Sequence, residues 1–246
     1  MAGAAALLIV WQILGMTVFK GANGNSGVVP PPTAILAQFR TDGFSLYWNN
    51  LAQTLREAGW GWVWGNGLAV VLAVIFVQVP IIERGLLRLA IATYCLPIIA
   101  IGPVLVILFS GDTPKIMLAA VSVFFTTLIA MIVGLRSADD TSLELVHAYG
   151  GGSFAQLRKV RLRASLPSLF AGLRIAAPAA ILGAMIGEYM GAESGLGVAM
   201  INSQQSLQIE RTWALALVAS AAAGILYGVT ALVGRLLTPW APRLER

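Results

Sequence analysis

Apolar runs of about 20 residues, enough to cross a hydrocarbon core about 30 Å thick as a helix, recur along this 246-residue chain. Six are found, at roughly 2–19, 60–80, 89–109, 115–135, 172–190 and 213–237. The pattern predicts an all-α polytopic membrane protein, one transmembrane domain over 1–246 with six membrane-crossing helices. The third run contains Pro97, Gly102 and Pro103, which are predicted to kink or break it. Such interruptions are tolerated where neighbouring helices or a water-filled cavity satisfy the freed backbone groups. Pro97 and Pro103 therefore read either as a packing kink or as lining a pathway. The first run has no basic residue before it, is too long for a signal-peptide core and shows no cleavage site before Lys20. It is read as a retained span, on a chain that begins a little late. In VVPPPTAILAQF, Pro30, Pro31 and Pro32 predict an extended approach to a short helix capped by Thr33 and starting at Ala34. That helix is expected to lie at the outer membrane interface.

The segment 136–171 breaks the pattern, and within it ELVHAYGGGSFAQLRKVRLRASLP (144–167) is the most polar long stretch of the chain. Thr141 to Glu144 and Ser153 to Gln156 each fit the S/T-x-x-E/Q capping box. They predict one helix from about Ser142 and a second from about Phe154. Gly150, Gly151 and Gly152 supply the positive φ a sharp corner needs, and Pro167 is expected to close the second helix. Leu143, Val146, Ala148 and Tyr149 form the apolar side of the first helix; Phe154, Leu157, Val160 and Leu162 form that of the second. Arg158, Lys159, Arg161 and Arg163 are left for water, lipid head groups or a partner.

Composition settles the class. The chain is 58% hydrophobic and 11% charged, with a mean hydropathy of +0.81, too apolar for a soluble fold of this size to bury. The net charge of +5 could suggest nucleic acid, but the distribution of charges argues otherwise. Eleven of the sixteen Lys and Arg residues fall in 81–88, 136–174 and the tail: Arg84, Arg88, Arg136, Arg158, Lys159, Arg161, Arg163, Arg174, Arg235, Arg243 and Arg246. By the positive-inside rule these face the cytoplasm, and an even span count places both termini there. Lys20, Arg40, Arg56, Lys115 and Arg211 fall outside. The excess of basic residues is thereby explained without nucleic acid. The lone Cys95 permits no intrachain disulfide.

The segment around the triple glycine resembles the cytoplasmic signature (EAA) loop of permease subunits in ATP-binding-cassette importers. That pattern reads E-A-A-x-x-x-G, nine residues, then I-x-L-P. Glu144, Leu145 and Val146 stand at its first positions, Gly150 at the glycine, and Val160 and Leu162 at the apolar positions. GLRIAAPAAILGAMIGEYMGAESGLG (172–197) and FFTTLIAMIVGLRSAD (124–139) also resemble the subgroup importing sulfonates, taurine, nitrate, or thiamine and flavin precursors. The family's loop proline falls at Arg163, and its two alanines are replaced by Leu145 and Val146. The resemblance covers about 50–237. It implies a type I importer permease (MetI-like) architecture in a bacterial inner membrane, working through two cytoplasmic ATPase subunits. A second permease subunit, with a homodimer the first expectation, and a periplasmic or lipid-anchored solute-binding protein complete the assembly. ATP and Mg would be bound by the ATPases, with no cofactor in this chain. The three lysines precede Gly21, Ile116 and Val160, so no phosphate-cradling loop is present. Glu144, Leu145, Val146, His147, Ala148, Gly150, Ser153 and Phe154 would form the coupling element, with Gly150 setting its angle and Glu144 its capping. The solute is expected to be a small polar organic molecule, of the pyrimidine, thiamine-precursor or riboflavin type before the sulfonate, taurine or nitrate type.

His147, the only histidine, lacks the partners a metal site needs and reads as an ATPase contact or an ordinary surface residue. Glu188, near the end of the fifth run, is either a functional acid at membrane depth or a capping or pairing group at the outer interface. Gly183, Gly187 and Gly191 recur at four-residue spacing, a stripe that permits close helix approach. It serves either packing within the chain or, as the resemblance favours, a second subunit across a translocation pathway. Trp60, Trp62, Trp64, Trp213 and Trp240 suit membrane-interface belts. A secondary transporter, the rival reading, would need inverted repeats with paired broken helices, and only one interrupted run is present. An intramembrane enzyme would need a nucleophile with its base, or clustered His, Asp and Glu, which the chain does not offer.

Overall fold

The computed structural model describes residues 2–18, 27–95 and 97–241. Lys20, Arg243 and Arg246, three of the charges weighed above, lie outside them. All elements among the described residues are helical: α1 (Ala2–Thr17), α2 (Pro32–Asp42), α3 (Phe44–Gln78), α4 (Pro80–Cys95), α5 (Ile98–Leu108), α6 (Thr113–Arg136), α7 (Asp140–Ala148), α8 (Ser153–Gln156), a π turn (Leu157–Arg161), α9 (Leu162–Glu188), α10 (Leu196–Gln205) and α11 (Ile209–Leu237). Among the described residues four helices are long and apolar enough to cross a membrane: Phe44–Gln78, Thr113–Arg136, the uninterrupted Ser153–Glu188, and Ile209–Leu237.

The fourth and sixth apolar runs match α6 and α11 closely. The second is the C-terminal part of a helix that begins at Phe44, not near residue 60. At 1.5 Å per residue α3 is about 52 Å long, well beyond the hydrocarbon core. The third run is divided at Pro97 into α4 and α5, while Pro103 lies inside α5. Residues 81–88 are the first part of α4, not a loop. Pro167 does not close a helix; it sits inside α9, as does Pro178. A proline there removes one backbone hydrogen bond without ending the helix.

The chain forms two compact units. One comprises Met1–Arg56 and Glu188–Ala222. In it α2 starts at Pro32, earlier than expected, with Pro31 extended before it, as proline's fixed φ and missing N–H allow at a helix start. Thr33 does not cap it. The Thr33 N–H donates to Gln12 Oε1 on α1 at 3.3 Å, and Gln12 Nε2 donates to Thr33 Oγ1 at 3.0 Å. At the other end of α2 the guanidinium of Arg211 donates to both carboxylate oxygens of Asp42, and Tyr47 Oη adds a bond at 2.7 Å.

The other unit comprises Glu57–Gly187 and Ala223–Arg246 and is organised around α6. A Cβ on Gly61 or Gly65 of α3 would lie 2.8 Å from Ile116 O and from Ala120 Cα respectively. The same holds on α9, where Gly183 and Gly187 would meet Ala119 Cα and Lys115 Cα, each at 2.7 Å. Two glycine pairs at four-residue spacing therefore bring α3 and α9 against α6 at backbone distance. The order of contacts makes α3 parallel to α6 and α9 antiparallel to it, so α4 and α5 together return the chain between the parallel pair. Ala69, Ala73 and Phe76 of α3, Leu128, Met131, Ile132 and Leu135 of α6, and Leu157 of the π turn form one buried core at one end of this unit.

Candidate coupling segment and candidate pathway residues

Residues 139–163 make an elbow rooted in that core. Asp139 starts α7, its carboxylate accepting from Ser142 N at 3.0 Å and from Ser142 Oγ at 3.1 Å. The expected Thr141–Glu144 box is not used, because Asp139 starts the helix two residues earlier, so that Thr141 already lies inside α7 and the orphan N–H that is capped is that of Ser142. Glu144 is left exposed and does not fix the capping. At the corner, Gly151 N bonds Val146 O at 2.9 Å and Gly150 N bonds His147 O at 2.8 Å, the paired bonds of a Schellman motif. Only Gly150 of the three glycines has positive φ, +79°. A side chain on Gly151 would collide with Val146, 2.7 Å from its carbonyl.

Ser153 caps nothing: its Oγ donates to Gln78 Oε1 at the end of α3 at 2.9 Å. Gln156 Nε2 reaches across the corner to Leu143 O at 3.1 Å. Arg161 Nη1 donates to Leu135 O at 3.2 Å, satisfying a carbonyl in the last turn of α6. The Arg163 guanidinium lies 5.1 Å from the Trp240 ring centroid. Arg161 and Arg163 are therefore held by the protein rather than left to a partner.

The elbow's exposed face differs from the expected one. Leu143 and Val146 turn partly inward and Leu157 is buried. Ala148, Tyr149 and Phe154, expected on the apolar inner sides, are exposed, together with Glu144, Leu145, His147, Gly150 and Ser153. Leu145, Tyr149 and Phe154 are 58%, 87% and 70% exposed, an outward apolar patch on a braced element. Glu83 and Arg136, bonded at 2.6 and 2.7 Å, tie the start of α4 to the end of α6 at this same end.

The pathway residues do not form one cluster. Pro97, just before α5, and Pro103, inside it, are both exposed. Gly183 and Gly187 are used up against α6 of the same chain, so the stripe serves intramolecular packing rather than contact with a second subunit. Gly191 lies beyond the end of α9 at φ +130° and is not on the stripe. Glu188 is fully buried. Its Oε1 accepts from Thr54 Oγ1 at 2.6 Å and its Oε2 from Gly197 N at 2.5 Å. Leu196 N donates to Thr54 Oγ1 at 2.9 Å and Gly195 N to Asn50 Oδ1 at 2.9 Å. The carboxylate thus accepts from an orphan N–H at the start of α10, a helix too short to show as an apolar run.

Neither Glu57 nor its pairing with Lys115 was expected from the sequence. Lys115 is buried in the first turn of α6, its Nζ 2.9 Å from Glu57 Oε1 and 2.8 Å from Asp112 Oδ1. Glu57 and Asp112, each standing three residues before an apolar run, with Lys115 at the start of the second of these runs, were the available signal. The four-residue spacing of Gly61 and Gly65 is a further signal of close helix approach.

The sequence profile of the binding-protein-dependent transport system inner membrane components matches residues 65–243. A probable ABC transporter permease protein of Haemophilus influenzae is 31% identical over 213 residues, covering 86% of this chain and 85% of its own length. The riboflavin transport system permease protein RibX of Chloroflexus aurantiacus is 29% identical over 237 residues, 95% of this chain and 87% of its own. The formylaminopyrimidine transport permease protein ThiX of Halalkalibacterium halodurans is 28% identical over 192 residues, covering 78% and 75%. With an all-helical, multi-pass body and a braced polar elbow, the chain belongs to the binding-protein-dependent transport system inner membrane components, the non-enzymatic permeases of ABC importers.

Proposed function

We propose that this chain forms the translocation pathway for a small polar organic solute delivered by a solute-binding protein. Cytoplasmic ATPase subunits would drive it by engaging the elbow at 139–163, and a second permease subunit would complete the membrane part. Six spans are proposed, α1 and the α4–α5 pair joining the four long helices, with both termini cytoplasmic. The parallel course of α3 and α6 supports α4–α5 as a crossing, and the Glu83–Arg136 pair supports a shared inner end.

One observation carries the coupling role: Leu145, Tyr149 and Phe154 project into solvent from a segment pinned by the Schellman bonds, Gln156 and Arg161. Exposed apolar groups on a rigid element fit a groove on a soluble partner. A lever must be stiff to transmit closure of two ATPases, and the elbow's buried root in the α3–α6 core supplies that stiffness. The relatives named for riboflavin and formylaminopyrimidine transport support a heterocyclic solute of flavin or thiamine-precursor type. The test is co-purification with the candidate ATPase after Tyr149→Ala and Phe154→Ala. Solute-stimulated ATP turnover should fall while the permease remains folded; unchanged turnover in the double variant rejects the coupling role.

A further inference from the structure

Arg174, the last basic residue of the 136–174 segment, lies inside α9, twelve residues after Leu162 and fourteen before Glu188. At 1.5 Å per residue that is about 18 Å from one end and about 21 Å from the other. A cation at such depth is expensive unless something neutralises it. Among the described residues Arg174 makes no hydrogen bond or ion pair, and its Nε is buried without an acceptor. It is half-buried, so part of the guanidinium is reachable. Gly172 faces Ala130 of α6; two residues on, at about 100° per residue, Arg174 points to the far side of the helix from α6. Its neighbour Ile175 is 55% exposed, as is Leu182 at 62%, one exposed strip of α9.

An identical second subunit holds no obvious partner. The stretches 58–82, 84–111, 113–138, 145–187 and 211–244 contain no Asp or Glu, and Glu57, the acid farthest inside a helix, is paired with Lys115. The geometry points to Arg174 as a binding site for an oxyanion from outside the chain, held by the planar guanidinium fork. Two sources share that chemistry: an anionic group on a transported solute, and a lipid head-group phosphate drawn inward along the exposed strip. Because Cα–Cβ bonds tilt toward a helix's N-terminus, the side chain leans toward the Leu162 end of α9. The site rests on α9 crossing the bilayer and not on the identity of the solute or the orientation of the chain.

The test is thermal unfolding of purified wild-type protein, Arg174→Gln and Arg174→Lys in neutral detergent, with two probes. Dioleoylphosphatidylglycerol is compared with dioleoylglycerol, and methanesulfonate with chloride at equal ionic strength. Wild-type protein should show a saturable rise in Tm with at least one anionic probe and none with its control. A rise with the lipid assigns a head group; a rise with methanesulfonate assigns a free oxyanion. Arg174→Gln should lose it, and Arg174→Lys, the safer variant for folding, should bind about tenfold more weakly. No rise in wild-type protein, or variants with undiminished affinity, overturns the assignment.

Discussion

Glu188 and Thr54, 134 residues apart, share a hydrogen bond of 2.6 Å in a fully buried site, through which the end of α9 is joined to α3 and α10. Removing the carboxylate leaves the Gly197 N–H without its acceptor and forces the Thr54 hydroxyl onto Asn50 O, 3.1 Å away. Each buried unsatisfied group costs about 1–3 kcal/mol. Glu188→Ala should therefore lower stability by at least that amount, and Thr54→Val should couple to it in a double-mutant cycle on detergent-solubilised protein. Additive effects of the two changes would show that the bond contributes nothing.

The corner of the elbow separates backbone geometry from space. Gly150 has open space where a Cβ would go, but its φ is +79°. A side chain there is opposed by the left-handed backbone alone, about 1–2 kcal/mol. Gly150→Val should loosen the corner and reduce solute-stimulated ATP turnover. Gly152→Ala, at φ −80° with open space, should preserve turnover. Equal behaviour of the two variants in ATPase assays would remove the corner from the mechanism.

How much of this was readable in the chain depends on what each signal measures. Apolar density located α6 and α11 to within a few residues, because those helices are apolar along nearly their whole length. It failed on NNLAQTLREAGW, where α3 is helical but polar, and on α10, whose ten residues are too few for a hydropathy window. Motif spacing found the elbow and its glycine corner. It assigned the wrong caps because Asp139 competes with Thr141, and Gln12 with Thr33, through contacts that local spacing does not encode. A small-residue stripe says that something comes close; which helix it is depends on topology, and here the partner was α6.

That close approach is itself testable. A leucine at Gly183 must displace Ala119 backbone and the Ser122 side chain, and one at Gly187 must displace Lys115. Overpacking of this kind costs about 1–3 kcal/mol and more where backbone must move. Gly183→Leu should reduce folded, membrane-inserted protein, measured by size-exclusion profile, before any partner is added. Gly67→Ala on α3, where nothing lies near the new Cβ, should be tolerated. A well-folded Gly183→Leu protein that failed only in dimer assembly would return the stripe to a subunit interface.

Burial pushes the Asp42 carboxyl up, but hydrogen bonds from Arg211, Tyr47 and Gln38 outweigh it and hold the group below its ordinary value. A depressed folded-state pKa means that the unfolded chain takes up the proton first as pH falls. The stabilisation from ionised Asp42 is therefore fully present above the unfolded value of about 3.9 and is lost as pH drops through the lower folded value. Wild-type protein should be more stable than Asp42→Asn at neutral pH, and that difference should shrink only below about pH 4. Thermal unfolding of both proteins from pH 7 down to about 3 reads it directly. A difference that is constant with pH would show that Asp42 contributes by packing alone, and that its ion pair with Arg211 does not hold α2 to the start of α11.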